Sequence, residues 1–286
     1  MYFVRNCDLY LRLSSEPKTR VYEEEEDETN EDQPKTVIEV IKEKGLKWEQ
    51  QIINLLKDHG KPCYFKFGID GKAISIPAQE SLKFLSNPAN KGHYLYQPKF
   101  TPRPSFYEML KIKLEEFNIT CNFANYEPDF LHVKDVINEN GKITIKISVI
   151  EAKASASIKL YHRIQVTLYV MLLKREFANF IGDNNVTLEI LHEAGLWLPY
   201  MKEPFYFDVS DYIPAISAFM GLNGENSKLV EILSKKKEEV FWHLCSSCEG
   251  CEYLEFCTDR ANKNHDVSLI PYISKMDKKL LLTLQR

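Results

Sequence analysis

The chain has 286 residues, 44% of them hydrophobic, and a formal net charge of −4. That length suits one large domain or two small ones, and the charge gives no global sign of a nucleic-acid-binding protein. No apolar run is long enough to span a membrane, and residues 1–13 lack the basic start and continuous apolar core of a signal peptide. We therefore expect an intracellular protein without membrane partners, cytoplasmic in a prokaryote or nuclear or organellar in a eukaryote. Its seven cysteines are not expected to form disulfides.

The first sixty residues predict two helical elements separated by an acidic run. Residues 1–13 read as a short amphipathic element that contains Cys7. Residues 23–32 are acidic and polar, which favours a solvated, disordered loop. Val37 to His59 has apolar positions at helical spacing and predicts one helix, or two with a break at Lys44-Gly45.

The next stretch predicts a hairpin, a strand and a helix. Residues 62–78 form two alternating runs around Asp70-Gly71, which is turn chemistry. Tyr94 to Phe100 reads as a strand, and Phe106 to Phe117 as a helix.

A second hairpin is predicted around Asn140-Gly141, a pair that supplies positive φ. Residues 143–150 alternate and then merge into a β-branched run, which is typical of a strand that becomes buried. Glu151 and Lys153 follow two residues apart, so their side chains share one side. Asp129 starts the preceding strand, and a hairpin of this length can bring it opposite Glu151. The sequence thus predicts two carboxylates and one lysine at the edge of a sheet.

Such a group has a chemical use. Two acidic side chains can hold one or two hard divalent cations through oxygen, and the metal lowers the pKa of a bound water. A lysine beside them can orient that water or neutralise charge that develops on a phosphate. The alternative is an exposed Glu/Lys pair on a strand, which is common in proteins of any function.

A helix is predicted from Ala154 to Lys174, with Gln165 and Tyr169 four residues apart on one face. Taken alone, the pair also suits a buried helix with one satisfied amide and one aromatic ring. The elements predicted after it are a strand at Val186 to His192 with a partner beginning at Trp197-Leu198, a strand at Phe205 to Val209, and helices at Asp211 to Met220 and Asn226 to His243.

Four cysteines lie close together near the C-terminus: Cys245, Cys248, Cys251 and Cys257. In an intracellular chain this density implies a metal or a cluster. Thiolates at this spacing can close a tetrahedral zinc site or hold a [4Fe–4S] cluster, and spacing alone does not choose between them.

Together, Asp129, Glu151-Ala152-Lys153 and Gln165-x-x-x-Tyr169 resemble the PD-(D/E)xK nucleases of the RecB-like branch. That branch includes the CRISPR-associated exonucleases, the AddB nuclease domain and nuclease domains fused to superfamily-one helicases. The resemblance covers most of the chain, with gaps at the acidic run and at residues 101–120. It implies an α/β fold: a restriction-endonuclease-like core whose mixed central sheet is flanked by helices, plus a cysteine-rich C-terminal cap.

The resemblance also implies roles. Asp129 and Glu151 would bind Mg²⁺ or Mn²⁺, Lys153 would be the catalytic lysine, and Gln165 and Tyr169 would flank the site and contact DNA. The implied activity is metal-dependent hydrolysis of DNA phosphodiester bonds, as an exonuclease on single-stranded ends. A second hypothesis is a catalytically inactive, nuclease-like DNA-binding module with a zinc or iron–sulfur structural site. A third, a redox-sensing cluster protein, requires an activity that follows the oxidation state of the cluster.

Members of this branch carry a first motif on an early helix, often a glycine followed shortly by histidine or glutamate. The run from Gly45 to Glu49 resembles it. Trp48 stands where some members have the histidine, and tryptophan cannot bind a metal. Glu49 is therefore the better candidate for a further metal ligand, with a solvated helix glutamate as the alternative.

The resemblance also implies which cysteines would bind a cluster. Nucleases of this branch place three cysteines near the C-terminus and a fourth near the N-terminus. Cys248, Cys251 and Cys257 match the three, and Cys7 matches the fourth. Cys245 is then a rival for the fourth position. A [4Fe–4S] cluster held in this way would tie the two ends of the chain together, and zinc is the alternative.

Residues 266–286 resemble the start of a helix-hairpin-helix-like segment. We expect residues 1–265 to form the nuclease domain, which includes the acidic loop at 23–32 and the cysteine motif at 245–257. The resemblance suggests a fragment or stand-alone descendant of a larger helicase–nuclease. The implied partners are DNA, chiefly single-stranded, and a helicase domain or subunit.

Overall fold

The computed structural model describes residues 7–16, 37–68, 73–120, 123–224 and 227–284, with the backbone alone at 37–39 and 184. The helices are α1 (Asp8–Ser14), α2 (Val37–Asp58), α3 (Ala78–Leu85), α4 (Pro104–Glu115), α5 (Leu160–Phe177), α6 (Ile213–Met220), α7 (Lys228–Ser234), α8 (Leu254–Lys263) and α9 (Lys275–Leu284). The strands are β1 (Cys63–Tyr64), β2 (Lys66–Phe67), β3 (Ala73–Ile74), β4 (Ile76–Pro77), β5 (Tyr94–Tyr96), β6 (Pro98–Lys99), β7 (Phe130–Glu139), β8 (Lys142–Ala152), β9 (Val186–Ile190), β10 (Glu193–Trp197) and β11 (Phe205–Asp208).

The chain divides into two compact units. The core unit is Ile41–Lys228, and the terminal unit combines Met1–Val40 with Leu229–Arg286. The core unit contains a seven-stranded sheet of order β1-β5-β7-β8-β10-β11, with β9 also paired to β8. Parallel pairs (β1/β5, β8/β9, β8/β10) and antiparallel pairs (β5/β7, β7/β8, β10/β11) both occur. The predicted α/β class with a mixed central sheet is therefore confirmed.

The central hairpin of the sheet joins β7 to β8. Its turn is Asn140-Gly141, with φ of 50° and 77°, so the positive φ predicted from these residues is present. Phe130 of β7 pairs with Ile150 of β8. One residue beyond this pair, the same register places Asp129 opposite Glu151. The register set by the hairpin therefore brings the two predicted carboxylates to the same end and the same face of the sheet.

Helices cover both faces of this sheet. On one face, Val166 and Val170 of α5 are buried in a cluster with Leu131 and Val149. On the other, Ile52 and other apolar residues of α2 pack with Phe130 and Ile150. Each fully buried aliphatic side chain contributes roughly 1.5–3 kcal/mol. The predicted arrangement of helices flanking the sheet is confirmed.

Several element boundaries differ from the sequence prediction. Helix α2 is continuous and includes Gly45. Helix α5 begins at Leu160, not at Ala154, because the Ser155 hydroxyl donates to the Ser157 carbonyl and competes with helical backbone bonding. The strand predicted from Tyr94 to Phe100 is interrupted at Gln97, whose φ is +46°.

The second half of the chain shows two further differences. Trp197 ends β10 and does not begin a strand. The helix predicted from Asn226 to His243 stops at Ser234. Beyond that point, side chains from distant parts of the chain hydrogen-bond the carbonyls: Arg12 donates to Lys235, and Arg260 donates to Lys237 and Glu238. Carbonyls satisfied in this way have no need of a continuing helix.

The hairpin predicted at 62–78 is present only at its centre, where β2 pairs antiparallel with β3. Its outer parts join other strands, since β1 pairs with β5 and β4 with β6. Asp70-Gly71 and the acidic run at 23–32 lie outside the described residues.

The terminal unit contains α1, α7, α8 and α9 around a small apolar cluster of Leu9, Ile232, Val240, Trp242 and Ala261. Lys278 is buried there, with its ammonium 2.7 Å from Asp266 and 4.3 Å from the Trp242 ring centroid. Of the helices described in either unit, none has the length and hydrophobicity needed to cross a membrane.

Candidate functional site

The carboxylate site consists of Glu49, Asp129, Glu151 and Lys153, at one end of the central sheet. Glu151 is 2% exposed and lies near the end of β8. Its Oε1 accepts hydrogen bonds from Lys153 Nζ (2.8 Å) and Gln165 Nε2 (2.7 Å). Its Oε2 is 3.4 Å from the Asp129 amide, which donates to it. Glu151 therefore links both strands of the hairpin to helix α5.

Asp129 immediately precedes β7 and is half-buried. Its Oδ2 accepts a hydrogen bond from the Ala152 amide at 2.7 Å, and among the described residues nothing donates to Oδ1. Burial raises the pKa of Asp129 well above its ordinary value, and the negative charges of Glu151 and Glu49 raise it further. This carboxyl group therefore lies in an environment that disfavours its charge.

Glu49 reaches the same group from helix α2. Its Oε2 accepts hydrogen bonds from Tyr96 Oη (2.6 Å) and Gln97 Nε2 (3.0 Å). Burial and the charge of Glu151 raise the pKa of Glu49, against these two hydrogen bonds. The backbone N–H of Gln97 also donates to the backbone carbonyl of Asp129 at 2.8 Å. The structure thus places Glu49 in the site and not on a solvated helix face.

Lys153 supplies the positive charge of the site. Burial alone would lower its pKa, but the negative charges of Glu151, Asp129 and Glu49 outweigh burial and raise it. The Lys153 amide donates to the Trp197 carbonyl at 3.0 Å, which ties its backbone to β10. Three acidic groups therefore share one cation.

Gln165 and Tyr169 also lie at this site. Gln165 Nε2 donates to Tyr169 Oη at 3.1 Å in addition to its bond with Glu151. The Tyr169 ring stacks on Tyr126, with ring centroids 6.1 Å apart. Gln165 therefore orients Glu151, and Tyr169 supports Gln165. No motif in the sequence pointed to Tyr96 or Gln97, the two residues that hold Glu49.

The carboxylate site suits a hard divalent cation by its donor chemistry. It offers carboxylate oxygens, the preferred ligands of Mg²⁺ and Mn²⁺, and Lys153 offsets part of the repulsion between these groups. As the described side chains stand, no three or more His, Cys, Asp or Glu form a group that could hold a metal ion.

The cysteine site lies in the terminal unit and consists of Cys7, Cys245, Cys248, Cys251 and Cys257. All five line one cavity of about 410 Å³. All five are free thiols, and Cys245 is the exposed one among them. Cys7 caps helix α1, where its Sγ accepts a hydrogen bond from the Tyr10 amide at 3.5 Å. The cavity brings residues from near both ends of the chain together.

Mutual interactions connect these thiols. Burial, together with the charges of Cys7, Cys248 and Cys251, raises the pKa of Cys257 to about 12. Burial also raises the pKa of Cys248, which interacts with Cys245 and Cys7. The neighbours of Cys257 are thus the other three residues of the predicted ligand set, while Cys245 is a neighbour of Cys248.

Comparison with protein-family models, with curated proteins and with solved structures gave no match for this chain. The resemblance to RecB-like nucleases therefore depends on the residues of the two sites, and it stays a hypothesis about their function.

Proposed function

We propose that the core unit is a metal-dependent deoxyribonuclease with a restriction-endonuclease-like fold, acting as an exonuclease on single-stranded DNA ends. The observation that carries the proposal is the convergence of three carboxylates and Lys153 at one end of the sheet. Asp129 and Glu151, with Glu49 as a third donor, would hold Mg²⁺ or Mn²⁺. When bound, the cation would supply an activated water and charge stabilisation for phosphodiester hydrolysis.

The side chains of the chain have separate tasks in this reaction. Lys153 carries a positive charge beside Glu151 and is available to neutralise the charge that develops on the phosphate. Gln165 fixes the orientation of the Glu151 carboxylate. Tyr96 and Gln97 fix that of Glu49. Hydrogen bonds therefore hold the acidic donors in place before a substrate arrives.

The test is cleavage of an end-labelled single-stranded oligonucleotide with Mn²⁺, with Mg²⁺ and with chelator. Glu151→Gln and Lys153→Ala should each reduce the rate by about a thousand-fold, roughly 4 kcal/mol of transition-state stabilisation. A matched control is Glu193→Gln, because Glu193 also pairs with a lysine, Lys134, on the same sheet, but at an exposed position. The control should cleave at the wild-type rate. Wild-type rates in Glu151→Gln or Lys153→Ala would overturn the proposal.

In the terminal unit, we propose that Cys7, Cys248, Cys251 and Cys257 hold a [4Fe–4S] cluster as a cysteine-rich cap, with zinc as the alternative. The support is the shared cavity and the three thiols that neighbour Cys257. Thiolates are the donors that either group requires. Such a group would stabilise the unit without any need to transfer electrons.

A second candidate is a catalytically inactive, nuclease-like DNA-binding module that keeps the cysteine site. One observation favours it: Glu151 Oε1 already accepts hydrogen bonds from Lys153 and Gln165, so part of the charge of this carboxylate is neutralised within the site. This candidate predicts binding of single strands with no cleavage at any Mn²⁺ concentration.

A helicase domain or subunit remains the partner that the proposed family implies.

A further inference from the structure

Two phenylalanines of the edge strand β11 lie on the same face of the sheet as the carboxylate site. Leu196 of β10 pairs with Glu151 on one side and with Phe205 on the other, and Ala194 pairs with Phe207. Residues directly opposite each other in neighbouring strands project to the same face. Because adjacent strands are spaced by about 4.8 Å, the Phe205 backbone lies about 10 Å from that of Glu151.

A guanidinium group backs these rings. Arg163, in the first turn of α5, has its Cζ 5.5 Å from the Phe205 ring centroid and 5.4 Å from that of Phe207. Its Nη1 donates to Tyr212 Oη at 2.9 Å, and the Phe207 and Tyr212 rings meet edge to face at 5.9 Å. Within the described ranges, Arg163 forms no ion pair with a carboxylate. Its orientation is therefore set by aromatic rings, and its charge is left for another partner.

Phe205 is the exposed member of this group, with 42% of its surface accessible, whereas Arg163, Phe207 and Tyr212 are half-buried. A fixed ring beside a cation is the type of surface on which unpaired nucleobases stack. Lys159 is exposed one turn before Arg163, so a second positive charge lies at the same end of α5. This charge complements the phosphates of a strand whose base lies on the ring.

We propose that Phe205, positioned by Arg163, is a stacking subsite for an unpaired nucleobase adjacent to the scissile phosphate. The inference rests on the proposed nuclease function and deepens it, because it names what selects single strands. A base inside a duplex has both faces covered by its neighbours, so an interior base can lie on this ring only when it is unpaired. Phe205 would contact the substrate base, and Arg163 would be a positioning residue that fixes the Phe205 ring.

The test couples the ring to one base. Steady-state cleavage is measured on an oligothymidylate and on a series in which a single nucleotide lacks its base. In the wild type, removing the base nearest the cleaved bond should lower kcat/KM by about ten-fold. On the intact strand, Phe205→Ala should have a kcat/KM about ten-fold below that of the wild type. On the abasic strand, the kcat/KM of Phe205→Ala should fall no further. Phe205→Trp should restore the preference for the intact strand, and Phe205→Leu, which keeps apolar bulk without a planar face, should not.

Each other result separates the two proposals. Independent, multiplying losses from Phe205→Ala and from the abasic position would overturn the subsite while the nuclease function stands. If the wild type does not cleave, the same strands are tested for binding by fluorescence anisotropy. The same coupling in binding would keep the subsite and remove the catalysis. Absence of both cleavage and single-strand binding would overturn both proposals.

Discussion

The two candidate sites differ in what holds their residues in place. In the carboxylate site, the register between β7 and β8 aligns Asp129 with Glu151, and side-chain hydrogen bonds fix the remaining groups. In the cysteine site, the thiols contact backbone groups of a helix cap and a loop, such as the Tyr10 amide 3.5 Å from Cys7 Sγ and the His243 carbonyl 3.8 Å from Cys248 Sγ. Strand register therefore organises the carboxylate site, whereas loops and a helix cap organise the cysteine site.

The hydrophobic cores of the two units differ in size. Among the described residues, the largest buried cluster of the core unit has twenty-two members, whereas that of the terminal unit has five. A small core contributes little stability, and small domains commonly depend on a metal or cross-links. We therefore expect ligand binding at the cysteine site to maintain the fold, and ligand binding at the carboxylate site to serve chemistry.

The largest effect is expected when the cysteine site loses its bound cluster. Cys7→Ser and Cys251→Ser should each remove the colour and about four irons per chain from anaerobically purified protein. They should also unfold the terminal unit, because structural metal binding contributes on the order of 10 kcal/mol. Calorimetry and iron analysis measure both, and the transition of the core unit should persist.

Two control variants sharpen this result. Cys63→Ser changes a half-buried cysteine of the core unit, and Cys245→Ser changes the rival ligand. Both should keep the iron. Iron retained in Cys7→Ser but lost in Cys245→Ser would show that Cys245 is the fourth ligand. Colourless wild-type protein with one zinc would refute the cluster.

The core unit should have an acid-sensitive point of its own at His132. Burial lowers the pKa of this histidine to about 4, and its Nδ1 has no hydrogen-bond partner among the described residues. A folded pKa below the unfolded value gives stability that is complete above about pH 6.5 and lost as the pH falls towards 4, up to about 3 kcal/mol. The other histidine with a pKa lowered to about 4 is His162, so part of the pH dependence should remain without His132.

His132→Phe tests this point, since the ring stacks on Tyr94 at 4.1 Å and phenylalanine can keep that contact. Denaturant unfolding at pH 7 and pH 4.5 should show a smaller loss of stability than in the wild type. His59→Phe, at an exposed position, should leave the loss unchanged. An unchanged pH dependence in His132→Phe would contradict the assignment.

A smaller effect of the opposite sign is expected at Asp129. Because its pKa is raised in the folded state, its contribution to stability is present at low pH and is lost as the pH rises through that value. Asp129→Asn removes the unfavourable charge, and the amide oxygen can still accept the Ala152 bond. Without metal at pH 8, the variant should be more stable than the wild type by on the order of 1–2 kcal/mol.

Mn²⁺ should reverse that order in thermal melts, because it should stabilise the wild type and not Asp129→Asn, which lacks one of the proposed metal-binding carboxylates. Equal stabilisation of both proteins would show that the cation binds elsewhere. Destabilisation of the metal-free variant would show that Asp129 is structural.

The smallest effect separates Gln165 from Tyr169. Gln165→Ala releases Glu151 and should raise the Mn²⁺ concentration for half-maximal cleavage by about ten-fold. Tyr169→Phe keeps the ring stacked on Tyr126 and removes only an acceptor of the Gln165 amide, so it should change little. An unchanged Mn²⁺ requirement in Gln165→Ala would leave Gln165 as a packing residue.

The sequence alone determined the features that depend on neighbouring residues. Asn140-Gly141 specifies a tight turn by its own φ preferences, and the period of two along β8 then decides which residues face each other. From these two facts the alignment of Asp129 with Glu151 could be predicted. The α2 and α5 helices followed from apolar spacing, which is equally local.

Contacts that close long loops were decided only by the tertiary structure. Tyr96 and Gln97 hold Glu49 from 47 and 48 residues away, through a positive φ at Gln97 that no local pattern indicates. Helix α7 stops at Ser234 where distant arginines such as Arg12 bind the carbonyls that follow it. Such contacts form only after the chain has folded back on itself, because their free energy comes from packing and not from the conformational preferences of adjacent residues.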